Sequence, residues 1–183
     1  AEAHLYCYSA LTVAEALLNW GSVNVYKPLS VGGSVRTHWL LNQYHDVSVG
    51  GDLVNTDLFN SYWSTLRIQG DLRTSGLMQL YQAGALVTVR GAFAATGSLA
   101  VYEQARIVAN AASLSAGADL QAALNVSCAV ALDGQLRIAV GGKRRALLAA
   151  PRIELAASAT VQLLPQAPVP TDKLTLLISE NAD

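Results

Sequence analysis

Asp52 and Asp71 follow glycine in matching contexts, Val49-Gly50-Gly51-Asp52-Leu53 and Ile68-Gln69-Gly70-Asp71-Leu72. A fold that stacks these segments brings the two carboxylates to about 5 Å, the separation used by a retaining glycosidase. Capping is the competing role, since Asp at a bend commonly closes the turn through its own side chain. No third group converges on the pair, so no catalytic residue is assigned and the chain reads as a non-enzyme. His4, His38 and His45 show no ligand spacing with cysteine or another carboxylate, so neither a metal nor a cofactor is expected. No phosphate loop, dinucleotide fingerprint or nucleophile elbow is present.

The tyrosines are the most regular residues with chemical potential. Tyr8, Tyr26, Tyr44, Tyr62, Tyr81 and Tyr102 are spaced 18, 18, 18, 19 and 21 residues apart. With Trp63 beside Tyr62, they predict an outward aromatic ladder. Such a ladder can stabilise stacked strands, pack against a neighbouring molecule or bind sugar rings.

A second set of residues shares that drift. Leu11–Leu17, Leu29–Val35, Val47–Leu53, Leu66–Leu72 and Val87–Phe93 align, each with apolar residues at alternate positions, the mark of a strand buried on one face. The pattern is expected to continue at Val108–Leu114, where Asn110 interrupts the buried column, and at Val130–Leu136 and Ile153–Ala159, giving eight copies. The fifth position holds Gly33, Gly51, Gly70, Gly91 and Gly134, as expected where a coil bends.

Leu11, Leu17, Val23, Leu29, Val35, Leu41, Val47, Leu53 and Phe59 recur every six residues. Six residues turn an α-helix through about 600°, so no helix keeps these side chains on one face. Three six-residue sides closing an 18-residue coil do. The fold expected is therefore all-β: a single-domain triangular β-solenoid of about eight coils with 18–23 residues each. Residues 1–8 form a leading segment, 9–164 the solenoid, 165–172 a proline-rich linker and 173–183 a C-terminal strand and tail. Residues 11–20 also contain good helix formers, so a helical cap is the alternative there, but Leu11, Val13 and Leu17 keep the strand register. Gly141 to Arg145 reads as a corner loop. Cys7 and Cys128 fall about six coils apart, on the order of 29 Å at one strand spacing per coil, which excludes a bridge between them.

The stacked Val49–Leu53 and Ile68–Leu72 units resemble bactofilins, polymer-forming bacterial proteins with right-handed β-helical cores. Runs such as Leu29–Val35 are also similar to secreted β-helical surface proteins, including choice-of-anchor and haemagglutinin-type adhesin domains. The resemblance covers residues 9 to 163 and implies a right-handed solenoid and self-association. More coils and more aromatics than bactofilins favour an exported filament or surface module over a cytoplasmic, membrane-associated skeleton. Ala1-Glu2-Ala3 is consistent with a signal-peptide cleavage remnant, which points the same way. Hexapeptide-repeat acyltransferases share the six-residue period, but their small residue after each core aliphatic is replaced by Leu18, Arg36 and Val54.

The partner expected is the chain itself. A first coil containing Leu11, Val13 and Leu17 would stack on the last coil, or on a strand carrying Leu174, Leu176 and Ile178, of a neighbour. The alternative is a monomeric adhesin or polysaccharide-binding module using Tyr44, Tyr62, Trp63 and Tyr81. A net charge of -1, without a basic stripe, gives no reason to expect nucleic acid. No apolar run is long enough for a transmembrane helix.

Overall fold

The structure is a computed structural model that describes residues 4–82, 84–102, 105–114, 118–120, 123–132, 135–140, 148–150, 152–157, 159–165 and 177–179. These residues contain no helix. Residues 11–20 supply two strands, Leu11–Val13 and Leu17–Asn19, so the register of the apolar positions prevails over local helix propensity.

Each early coil holds three short strands joined at bends. In the first coil these are Leu5–Cys7, Leu11–Val13 and Leu17–Asn19; in the second, Val23–Val25, Leu29–Val31 and Val35–Thr37. Every strand pairs in parallel with its counterpart one coil later, Leu5 on Val23, Leu11 on Leu29 and Leu17 on Val35. The first side continues as a nine-stranded parallel sheet through Leu40–Gln43, Leu58–Tyr62, Met78–Tyr81, Leu99–Val101, Ala118–Leu120, Gln135–Val140 and Thr160–Pro165. In Leu86–Ala95, Arg106–Leu114 and Ala123–Leu132 the other two sides merge into one long strand, the first with an irregularity between Val89 and Ala92 where a corner becomes a bend. They are separate again as Leu148–Ala150 and Arg152–Leu155.

The six-residue ladder forms the core. Val23, Leu29, Val35, Leu41, Val47, Leu53 and Phe59 are all buried, as are Leu66, Leu72, Met78 and Phe93 in later coils. The one-residue lengthening of the fourth coil has a local cause. Phe59 lies against Leu41, 18 residues back, but Leu66 lies against Val47, 19 back, so the extra residue falls between them. Trp63 is in that interval and adopts φ of 33°, the left-handed conformation that lets one residue bulge from a corner.

The nine strands stacked along the first side lie close to the expected count of about eight coils, and two expectations are corrected. The copies assigned to Val108–Leu114 and Val130–Leu136 are out of register with those before them: Val87 pairs with Ile107, Phe93 with Ala112 and Ala112 with Val130, whereas Val130 pairs with Ile153 as their alignment predicts. Side chains alternate with period two, so the one-residue slip at Val108 changes its face. Ile107, Ala109 and Leu114 are buried, Val108 is half-buried, and Asn110 is exposed rather than interrupting a buried column. Finally, Pro165 ends a strand paired with Val140 instead of opening a linker.

Residues 166–176, which include Leu174 and Leu176, lie outside the described residues, as do Gly134 and Gly141 to Arg145. Ile178 belongs to the strand Leu177–Ser179, which pairs in parallel with Leu148–Ala150 of the same chain. It therefore serves as a rung of its own solenoid.

Candidate functional site

The tyrosine ladder forms on the outer edge of the first side. The backbone N–H of Tyr26 donates to Cys7, that of Tyr44 to Val25 and that of Tyr102 to Leu80, so these phenols are carried at the spacing of the coils. Successive rings of Tyr8, Tyr26, Tyr44, Tyr62, Tyr81 and Tyr102 are 5.1, 5.0, 4.7, 5.1 and 5.2 Å apart, with planes within 15° of parallel. Tyr6 extends the stack at 6.0 Å from Tyr8. Trp63 does not join it but tilts 59° against Tyr62.

This geometry decides what the ladder can present. Each interior phenol has both faces against other phenols, which leaves its edge and hydroxyl for solvent. Burial, reinforced by neighbouring phenols, raises the Tyr26, Tyr44 and Tyr81 hydroxyls above their ordinary value. Burial and the adjacent Tyr81 also raise Tyr62, partly opposed by its hydrogen bond with Tyr44.

Beside the tyrosines runs an amide ladder that the spacing argument missed. Asn42 Nδ2 donates to Asn24 Oδ1 and Asn60 Nδ2 to Asn42 Oδ1, each at 2.9 Å. Asn24, Asn42 and Asn60 lie two residues before Tyr26, Tyr44 and Tyr62, hence on the same face of their strands. Their 18-residue spacing was legible. So was that of Trp20 and His38, whose rings stack at 3.9 Å, and of Asn19, Thr37 and Asn55, which point inward and are buried.

Asp52 and Asp71 stack in the corner, where their carboxylates accept backbone hydrogen bonds. Asp52 Oδ1 accepts from the Asp71 N–H at 2.8 Å, and Asp71 Oδ1 from the Ala92 N–H at 2.9 Å. Asp71 also pairs with Arg73 at 2.7 Å. That arrangement holds successive coils together at a bend. Among the described residues no group of three or more His, Cys, Asp or Glu could hold a metal. Cys7 is a buried free thiol; the Cys128 side chain lies outside the described set.

The first coil is the other candidate surface, because among the described residues its three strands lie at sheet edges. The N–H groups of Leu5, Leu11 and Leu17 donate to Ser22, Pro28 and Ser34 of the second coil at 2.8 to 3.0 Å. By alternation, the backbone N–H and C=O of Tyr6, Thr12 and Leu18 point away from the second coil. Leu11, Val13 and Leu17 are only partly buried, whereas their counterparts Leu29, Val31 and Val35 are buried. Large apolar groups are exposed around this end: Tyr8 at 69%, Trp20 at 66% and Leu18 at 57%.

No family model, curated protein or solved structure matches the chain.

Proposed function

We propose that this chain is a structural subunit that stacks end to end with copies of itself into a filament or surface fibre. The observation carrying this reading is the first coil: three edge strands with outward backbone groups at Tyr6, Thr12 and Leu18, above partly exposed Leu11, Val13 and Leu17. An open parallel edge of this kind is a template for another strand, and adding a coil would bury those side chains as the second coil buries its own. The acceptor is the last coil of a neighbour, formed from Thr160–Pro165 and Leu177–Ser179. Since Leu177–Ser179 already pairs within its own chain, stacking on a completed coil is favoured over donation of a loose strand.

Thr12→Pro tests this directly. It deletes one outward N–H from an edge position that tolerates proline, so the monomer keeps its inward hydrogen bonds. Loss of about 1 kcal/mol per junction raises the critical concentration for assembly at least about fivefold. Sedimentation of wild type and variant measures it. An unchanged concentration dependence with the variant folded would falsify the proposed junction.

A second reading, a carbohydrate-binding module, draws on Trp63. Trp63 is 55% exposed on the bulge beside Tyr62, so its ring is offered to solvent. The stacked tyrosines give it less support, because a sugar ring binds an aromatic face and theirs are covered. Loss of glycan-array binding on Trp63→Ala, in a protein that remains monomeric, would favour this alternative.

A further inference from the structure

Phenols held at contact distance along a column are placed for oxidative coupling. We propose that the tyrosine column is a modification site at which one-electron oxidation by a peroxidase and hydrogen peroxide joins successive coils through tyrosine–tyrosine bonds. The inference is independent of end-to-end assembly, since every bond lies within one chain.

Three observations carry it. Ring centres are 4.7 to 5.2 Å apart with nearly parallel planes, slightly farther than two ring centres joined by one carbon–carbon bond. Coupling thus requires rotation of side chains while the coils stay in place. The ring faces are occupied, so what solvent reaches is the edge, where the hydroxyl and its ortho carbons concentrate the spin of a phenoxyl radical. Finally, the column is accessible: Tyr26 is 37% exposed, and Tyr44, Tyr62, Tyr81 and Tyr102 are half-buried.

The reaction balances as follows. Each of two neighbouring phenols loses the hydrogen atom of its O–H group, and the two resulting radicals form one bond between ortho carbons. The proton on each newly bonded carbon moves to its own ring oxygen, which restores both phenols. The two hydrogen atoms removed reduce one hydrogen peroxide to two waters, with the peroxidase haem carrying the electrons.

Position dictates which partners meet. Held next to each other, neighbouring phenols have a high effective concentration for one another, while phenols two coils apart are separated by an intervening ring. Tyr26 should couple to Tyr44, Tyr62 to Tyr81, and Tyr81 to Tyr102.

The test treats dilute monomeric protein with a haem peroxidase and hydrogen peroxide, cleaves after arginine, and identifies joined fragments by mass spectrometry. Cleavage places Tyr26 in residues 1–36, Tyr44 and Tyr62 in 37–67, Tyr81 in 74–90 and Tyr102 in 91–106. The expected products join 1–36 to 37–67, 37–67 to 74–90, and 74–90 to 91–106, at least about tenfold above any product joining 1–36 to 74–90 or 91–106. Tyr44→Phe keeps the ring but removes the phenol, so it should abolish the first product and spare the third. The proposal is overturned if the folded monomer yields no joined fragments, if non-neighbouring fragments join as often, or if coupling occurs only between molecules.

Discussion

Five ring contacts connect Tyr8 to Tyr102, and cross-strand aromatic pairs stabilise a sheet by roughly 0.2 to 1 kcal/mol each. The column is therefore a stabilising feature before it is anything else. Its stability depends on pH with a definite sign. Burial raises the hydroxyls of Tyr26, Tyr44, Tyr62 and Tyr81 above 10.0, so the folded state favours the protonated phenol. That contribution is present in full below pH about 10 and is lost as pH rises through the folded values. Thermal melts between pH 8 and pH 11 should show a falling midpoint that is shallower in Tyr44→Phe; parallel curves would show that the ladder plays no part. Gly33 gives a second test at this scale. A Cβ there would lie 2.7 Å from the Glu15 carbonyl oxygen and 2.9 Å from its carbon, both backbone atoms. Gly33→Ala should destabilise by about 1 to 3 kcal/mol in urea unfolding. Gly33, Gly51 and Gly70 thus sit at bends, as expected, and close approach of successive coils there leaves no room for a Cβ.

At the scale of elements, the sides of the triangle were legible wherever strongly apolar residues recur. Leu29, Val47, Leu66 and Val87 stack as their spacing predicts, and the six-residue ladder marks the start of strand after strand. Between Val89 and Val130 the register was not legible because alanine fills the alternating positions: Val89-Ala92 and Ala109-Ala111 each carry an irregularity, and small residues on both faces give no sign of which side is buried. The aromatic ladder was readable for the same reason as the core. The Asn24, Asn42 and Asn60 ladder obeyed the same spacing but was overlooked, since isolated polar residues carry no periodicity in hydrophobicity. Core strands should respond to truncation like any close-packed interior. Leu53 is fully buried between Val35 and Leu72, so Leu53→Ala should cost about 2 to 5 kcal/mol in denaturant unfolding. A loss under about 1 kcal/mol would mean that the coils do not stack as described.

For the whole molecule, each coil touches only the next, so stability accumulates along one axis and the ends differ from the middle. What the middle coils obtain from both neighbours, the first coil obtains from one. Its open edge and exposed aromatics are the basis for assembly between copies. Electron microscopy of the purified chain over a rising concentration series, with diffraction from the filaments formed, tests this most directly. The account predicts filaments that lengthen with concentration and repeat at about 4.8 Å along their axis, the strand spacing continued across each junction. Folded monomers at every concentration, or fibres whose strands do not run across the axis, would contradict it.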